Sequence, residues 1–194
     1  MRLGELVAGS IAAAALVVGV PAHASLLFQG VTFTTTYTAN TLVLEIDAAG
    51  RNGDWASAVS VDALQIKNVG SFASVSMSGP GGVWTFDPEE LNASGCDGGG
   101  GGGGRACFTH APVALGDDMV FTFTFTGGVL DLDTPHVKVH FLNAAGGKQG
   151  SLLSMNVPGT PSLIPEPETY ALLLAGLGLL GFAARRRKAR SLRA

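Results

Sequence analysis

The chain has 194 residues, which leaves room for one folded domain once the two ends, which look like processing segments, are set aside. Between residues 25 and 164 there are five Lys or Arg against twelve Asp or Glu, so the domain is strongly acidic. Because phosphate binding needs clustered Lys or Arg, this charge argues against a nucleic-acid partner.

The N-terminal end, residues 1–24, predicts a secretory signal peptide. A positive residue is followed by an apolar run from Leu6 to Val20, and Ala22 and Ala24 form an Ala-x-Ala cleavage site with Ser25 as the first mature residue. The alternatives are a buried N-terminal helix or an uncleaved anchor. The apolar run is short for an anchor, because a membrane span needs about 20 apolar residues.

The middle of the chain, residues 25–160, reads as a series of short strands. Apolar and polar residues alternate with period two, Thr and aromatic residues are enriched, and Gly, Asn, Asp and Pro separate the runs. We therefore predict an all-β fold, an antiparallel β-sandwich for which the jelly roll is one candidate topology. The predicted strands cover residues 31–38, 42–47, 59–66 (with a bulge), 72–77, 83–86, 119–126, 136–142 and 152–157.

Seven consecutive glycines, Gly98–Gly104, predict a surface loop, because such a run loses too much backbone entropy to form a stable element. Cys96 and Cys107 flank this run and are the two cysteines of the chain. In an oxidising compartment we expect them to form a disulfide, worth about 3 kcal/mol for a loop of this length. Free or metal-binding thiols are the alternative, but two isolated cysteines are weak ligands for zinc.

The residue pattern contains no recognisable catalytic set. The glutamates of the domain, Glu45, Glu89 and Glu90, are not paired as glycoside hydrolysis requires, and no nucleophile with a neighbouring base is visible. His136 and His140 lie in one predicted strand about 13 Å apart, too far for one metal, and we expect both to be solvated. The sequence therefore predicts a protein that is not an enzyme and has no cofactor or assigned metal ligands.

Two features could contact a ligand. Asp131 and Asp133, or the neighbouring Asp117 and Asp118, could contribute oxygens to calcium, although solvated turns explain them equally well. Trp55 lies in a polar loop and is the candidate for an exposed ring that stacks on a sugar. We nevertheless give more weight to an ordinary packing role for Trp55.

The C-terminal end has three parts in order. A Pro-Glu-Pro motif comes first (Pro165, Glu166 and Pro167), and an apolar stretch over residues 170–184 follows. A basic cluster closes the sequence of parts (Arg185, Arg186, Arg187 and Lys188). The prolines keep the linker, residues 161–169, extended and open to a protease. The apolar stretch predicts a transmembrane helix that barely crosses a bilayer. The positive-inside rule then places residues 185–194 in the cytoplasm. A tail anchor or a helix-packing face would not account for the Pro-Glu-Pro.

This arrangement resembles the PEP-CTERM sorting signal of Gram-negative bacteria. The resemblance covers about residues 164–190, with Glu168 standing where a small residue is frequent. It implies recognition by an exosortase, an integral-membrane cysteine protease that cleaves near the Pro-Glu-Pro. It also implies a precursor anchored in the inner membrane, a mature domain that is periplasmic, cell-surface or extracellular, and a connection with exopolysaccharide and extracellular matrix.

We therefore expect a non-catalytic surface or extracellular-matrix protein whose partners are the secretion machinery and an exosortase. The alternative is an exopolysaccharide-binding module, with or without calcium. A secreted hydrolase is the third hypothesis, and it would need converging carboxylates or a Ser/His pair in one pocket.

Overall fold

The computed structural model describes residues 25–99, 104–162, 173–178 and 180. The predicted signal peptide with its cleavage site, the sorting residues Pro165–Pro167 and the basic cluster that follows the apolar stretch lie outside the described residues. Residues 173–178 and 180 are helical. Among the residues described, no helix is both long enough and apolar enough to cross a membrane. The transmembrane helix predicted over residues 170–184 is therefore not confirmed.

The described part of residues 25–162 is built from short β-strands, and all eight predicted strands overlap with observed ones. The strands are β1 (Ser25–Phe28), β2 (Val31–Tyr37), β3 (Thr41–Asp47), β4 (Ser60–Lys67), β5 (Ser74–Gly79), β6 (Gly82–Asp87), β7 (Leu91–Asn92), β8 (Gly95–Cys96), β9 (Arg105–Ala114), β10 (Met119–Thr126), β11 (His136–Leu142), β12 (Leu153–Asn156) and β13 (Gly159–Pro161).

Period-two alternation places one face of each long strand in the core. In β10, Phe121, Phe123 and Phe125 are buried while the intervening threonines point outward. In β2, Val31 and Phe33 are buried in the same way. Burying a large apolar side chain contributes about 2 kcal/mol, so this alternation fixes which face of each strand turns inward.

Strand β9 was not predicted, because a proline near its end looks like a strand breaker. The structure resolves this by a bulge: Ala63 pairs with Thr109 and Val61 with Val113, so three residues of β9 oppose one residue of β4. Pro112 lies within this bulge, where a missing N–H breaks no regular ladder. The bulge predicted in the strand over residues 59–66 is confirmed.

One continuous sheet contains most of the strands, in the order β1-β2-β3-β10-β5-β6-β9-β4-β11-β12, with β13 paired to β2. Strand β6 pairs with a different strand at each end: Trp84 pairs with Met77 of β5, and Phe86 pairs with Phe108 of β9. We call β1, β2, β3, β10 and β5 the first half-sheet and β9, β4, β11 and β12 the second half-sheet. The antiparallel all-β prediction is confirmed, but one curled sheet replaces the two separate sheets of a sandwich.

The two half-sheets face each other across one apolar core. Phe108 of the second half-sheet meets Phe123 of the first with ring centroids 5.7 Å apart. Near the bend in β6, Trp84 packs edge-on against Phe121 at 5.4 Å. Edge-to-face rings at such distances add about 1 kcal/mol per pair to area burial, so aromatic pairs join the two layers.

Trp55 closes the seam between the outer edges of the two half-sheets. Its ring packs edge-on against three phenylalanine rings, with centroid separations of 5.2 Å to Phe28 of β1, 6.1 Å to Phe33 of β2 and 4.9 Å to Phe141 of β11. The indole N–H donates to the carbonyl oxygen of Ser151 at 2.8 Å, and the residue is 0% exposed. The prediction that Trp55 is an exposed ligand contact is therefore wrong.

The polar loop that carries Trp55 is folded by its own hydrogen bonds. Arg51 donates from Nε to the carbonyl of Ala58 at 2.6 Å and from Nη1 to the carbonyl of Ala48 at 3.0 Å. The amide oxygen of Gln29 accepts the backbone N–H of Trp55 at 3.2 Å. The polar neighbours therefore satisfy the loop backbone at the surface, which leaves the indole free to turn inward.

Replacement of Trp55 by alanine should lower the free energy of unfolding by about 3–5 kcal/mol, because it empties the seam and leaves the Ser151 carbonyl without its donor. Urea unfolding followed by far-ultraviolet circular dichroism measures this loss. The matched control is Val83→Ala, since Val83 is 79% exposed, and it should change stability by less than about 0.5 kcal/mol. Equal unfolding midpoints for wild type and Trp55→Ala would contradict the role of the seam.

Candidate functional site

An open cleft of about 650 Å³ lies at one end of the first half-sheet. Its walls come from residues 37–39 in the turn between β2 and β3, residues 130–133 between β10 and β11, and residues 161–162 at the end of β13. The cleft therefore lies beside Ser162, the residue from which the C-terminal sorting segment continues. A concave site with a few convergent polar groups is the usual form of a small-molecule site.

Local hydrogen bonds hold the wall formed by residues 130–133. The backbone N–H of Asp131 donates to the carbonyl of Val69 at 3.1 Å. The carboxylate of Asp131 accepts the backbone N–H of Asp133 at 3.3 Å, an arrangement in which an aspartate stabilises its own turn. The two aspartates are thus held on the same wall.

Tyr37 spans the cleft from the end of β2, and its hydroxyl donates to the carboxylate of Asp133. This hydrogen bond, then burial and the negative charges of Asp133 and Asp131, raise the pKa of Tyr37 above its usual value. The phenol therefore stays protonated at neutral pH. The cleft offers carboxylate acceptors beside an aromatic ring, which suits a ligand that carries hydroxyl groups.

Tyr37 is the cleft residue that sequence reasoning missed. In the sequence it is simply the last apolar member of the alternating strand β2. Its hydrogen bond to Asp133 joins residues 96 positions apart, and Pro161 of β13 pairs with the same tyrosine. Asp131 and Asp133 could be singled out in the sequence as an acidic pair, whereas nothing in the sequence singled out Tyr37.

The carboxylates considered for calcium lie in two places. Asp131 and Asp133 line the cleft, whereas Asp117 accepts the backbone N–H of Ala49 at 2.8 Å at a different loop. There a hydrogen bond with Asp117, together with burial and that group's charge, raises the pKa of Asp47. Across residues 25–99 and 104–162, no three His, Cys or carboxylate side chains converge as a metal-ion site.

The three histidines in the described part of the chain do not lie close to one another. His136 bonds to side chains of β12 on the outer surface. His140 is 4% exposed and contacts the carboxylate of Asp62 at 2.7 Å, so the expectation that it is solvated is wrong. His110 stacks on Trp84 with centroids 5.2 Å apart. Each of these three histidines therefore has its own local partner.

Residues 87–99, which we call the cap hairpin, cover the outer face of the second half-sheet. Strands β7 and β8 pair within it, with Leu91 opposite Cys96. Cys96 is joined by a disulfide to Cys107 of β9, with Cα atoms 5.9 Å apart, so the predicted disulfide is confirmed. Together with Ala63, these three side chains form a small second core under the hairpin.

Glu90 fixes the cap hairpin to the sheet by charge. Its carboxylate meets the side chains of Lys67 at 2.9 Å, Lys138 at 2.6 Å and Arg105 at 3.1 Å, one from each of three adjacent strands. Hydrogen bonds from Lys138 and Lys67 lower the pKa of Glu90 to about 2. Three of the five cations between residues 25 and 164 therefore serve this one contact.

Acid should weaken the cap hairpin. The folded pKa of Glu90 lies below its ordinary value of 4.5, so the stabilisation is complete above pH 4.5 and is lost as the pH falls from there toward 2. We expect Glu90→Gln to lower the free energy of unfolding at pH 7 by about 1–2 kcal/mol. This is less than a fully buried ion pair would contribute, because the side chain is 29% exposed and solvent screens its charge. The difference between wild type and variant should shrink at pH 3 in thermal unfolding experiments.

Glu45→Gln is the matched control for this titration, because Glu45 lies on a different half-sheet. A wild-type protein that keeps its full advantage over Glu90→Gln at pH 2 would contradict the assignment.

The segment that follows the cleft matches a known family. The family model described as the PEP-CTERM protein-sorting motif matches residues 163–188, which contain the Pro-Glu-Pro, the apolar stretch and the basic cluster in that order. A comparison with curated proteins finds no match. The chain therefore carries a PEP-CTERM sorting motif at residues 163–188, and this motif implies an exported protein that is sorted by an exosortase from a membrane-associated precursor.

Proposed function

We propose that the protein is a non-catalytic surface or extracellular-matrix protein that an exosortase releases or transfers after cutting near Pro165–Pro167. The observation that carries this proposal is the sorting motif at residues 163–188. In the precursor, residues 170–184 hold the chain in the inner membrane, and the basic cluster stays in the cytoplasm. The mature domain then begins at Ser25 and is periplasmic, cell-surface or extracellular.

The chemistry of the described domain supports export and a non-catalytic role. The disulfide between Cys96 and Cys107 suits an oxidising compartment outside the cytoplasm. Glu90 is engaged by three cations, and Glu89 accepts the backbone N–H of Gly99 at 2.7 Å. Glu45 lies in β3 of the first half-sheet, whereas Glu89 and Glu90 lie in the cap hairpin on the second half-sheet, and this separation favours a non-catalytic role.

Substitution of both Pro165 and Pro167 by alanine should abolish tail removal, because it removes the two prolines of the matched sorting motif and with them the bias against helix that would leave the segment open to the protease. Intact-mass measurement on envelope and medium fractions gives the result directly. Wild type should yield a species that starts at Ser25 and ends near Pro165, whereas the variant should retain Ala194.

Pro112→Ala, a change at an exposed position in the β9 bulge, is the control and should be processed as wild type. Normal tail removal in the double proline variant would contradict sorting through this segment. A wild-type species that keeps Ala194 in every fraction would indicate an anchored protein instead.

Carbohydrate binding is the second candidate function, and the cleft is the observation that favours it. We place the ligand contacts on Tyr37, Asp131 and Asp133 in place of the buried Trp55. Carboxylates that accept hydrogen bonds from vicinal hydroxyls, beside an aromatic face, are a chemistry suited to sugars. An exopolysaccharide would be the natural ligand of a matrix protein.

Asp133→Asn should weaken binding of neutral oligosaccharides about tenfold or more, because it removes a charged acceptor and disturbs the bond from Tyr37. Titration calorimetry against a panel of neutral oligosaccharides, with calcium and with chelator, measures both the affinity and any calcium dependence. Asp97→Asn, at an exposed position on the cap hairpin, is the control. Equal affinities for wild type and both variants would move the ligand away from the cleft.

A further inference from the structure

The cleft at the end of the first half-sheet has a lining whose charged groups are all negative. Asp131 and Asp133 lie on one wall, and both are exposed. Among the described residues that line the cleft there is no Lys, Arg or His. A bound molecule would therefore meet two carboxylates whose charge no cation of the lining offsets.

The cations of the domain are engaged elsewhere. Three of the five Lys and Arg side chains between residues 25 and 164 surround Glu90 on the second half-sheet. Arg51 donates to two carbonyl oxygens of the loop that carries Trp55, and Lys148 donates to the carbonyl oxygen of Gly150. Within the described part of the chain, the two aspartates of the cleft thus form no ion pair, which leaves their charge available to a cationic ligand.

The hydrogen-bonding side chains of the cleft are mostly acceptors. Tyr37 already gives its hydroxyl proton to Asp133, and Asp131 accepts the backbone N–H of Asp133. A carboxylate offers about four lone pairs and no donor, so each aspartate keeps acceptor capacity. Among the described lining residues, the hydroxyls of Thr38 and Ser162 are the remaining side-chain donors. The cleft therefore suits a ligand that donates more hydrogen bonds than it accepts.

A protonated amine meets these requirements better than a hydroxyl does. An ammonium group has three N–H donors, no acceptor and a positive charge, whereas a hydroxyl has one donor and is neutral. Both groups can donate to a carboxylate, but the ammonium adds Coulomb attraction to the two negative charges. The ring of Tyr37, which also lines the cleft, offers an aromatic surface for a cation–π contact.

We propose that the cleft selects sugars that carry a free, protonated amine, which are the amino sugars of a deacetylated polysaccharide, over neutral sugars. The proposal rests on the carbohydrate-binding function proposed above and names its ligand class. The ammonium group lies beside Asp131 and Asp133 against the ring of Tyr37, and hydroxyls of the sugar bond to the hydroxyls of Thr38 and Ser162. A cleft of about 650 Å³ has the volume usual for a small-molecule site.

Titration calorimetry with the exported protein near pH 6 tests this selection, with a chelator present so that calcium cannot bridge the carboxylates and the sugar. The probes are a glucosamine trimer and a glucose trimer of the same linkage, which differ only in carrying amines or hydroxyls. We expect the glucosamine trimer to bind about tenfold more tightly.

Asp131→Asn should reduce this affinity ratio to about threefold or less, because asparagine lacks the charge. Its side-chain oxygen can still accept the N–H of Asp133, so the turn is kept. The matched control is Asp97→Asn, the same change at an exposed position on the cap hairpin, and it should leave the ratio unchanged.

A salt series on the wild-type protein gives a second measurement that needs no variant. From about 0.05 M to about 0.5 M sodium chloride, the glucosamine trimer should lose affinity several-fold and the glucose trimer should not, because salt screens charge. Trilysine, which has the charges but no sugar ring, should bind more weakly than the glucosamine trimer.

The contrary outcomes distinguish this inference from the carbohydrate-binding function on which it rests. Equal affinity for the two trimers overturns the selection of amino sugars and leaves carbohydrate binding in place. Absence of binding by both trimers contradicts both proposals. An affinity ratio that Asp131→Asn leaves unchanged, or trilysine binding as tight as that of the glucosamine trimer, also overturns the inference, because recognition would then lie outside the cleft or depend on charge alone.

Discussion

The closure of one curled sheet along its seam depends on the buried ring of Trp55. The ring touches β1 and β2 on one side and β11 on the other, which are strands from opposite ends of the sheet order. Because β6 bends from one half-sheet into the other, the core is already enclosed at the opposite side. A single indole, with its N–H satisfied by Ser151, therefore completes a core that strand pairing alone leaves open.

Charge organises the outer surface in a similar way. The domain is acidic, yet Lys67, Arg105 and Lys138 are gathered under the cap hairpin around Glu90. The disulfide to Cys107 fixes the other end of the same hairpin. Covalent and ionic contacts thus act on one element, which covers a sheet face that would otherwise expose polar side chains such as Gln65 to water.

The sequence predicted those parts of the fold that depend on local pattern. Alternation identified β2, β3 and β10, and the compartment implied by the two ends led to the disulfide between Cys96 and Cys107. The packing interpretation of Trp55 is confirmed and its candidacy as a ligand contact is wrong; the candidacy came from its polar sequence neighbours, whereas its burial arises from phenylalanines on three distant strands.

The same limit applies to the cleft. Asp131 and Asp133 were visible as acidic residues, but the opposing wall comes from Tyr37 and from β13, a strand of three residues with no pattern of its own. Strand β9 was not predicted for a related reason. The bulge that accommodates Pro112 forms where β9 pairs with β4, and this pairing cannot be read from the sequence.

The position of Ser162 also orients the molecule. From Ser162 to Pro165 the chain can extend by only about 10 Å, so in a protein cleaved near Pro165 as we propose, the end of the domain that holds the cleft would lie close to the cleaved end. If the processed protein is attached to a surface through this short segment, the cleft would lie on the side of the domain that is nearest to that surface. A ligand of the cleft would therefore be met at the anchoring surface and not in the open medium.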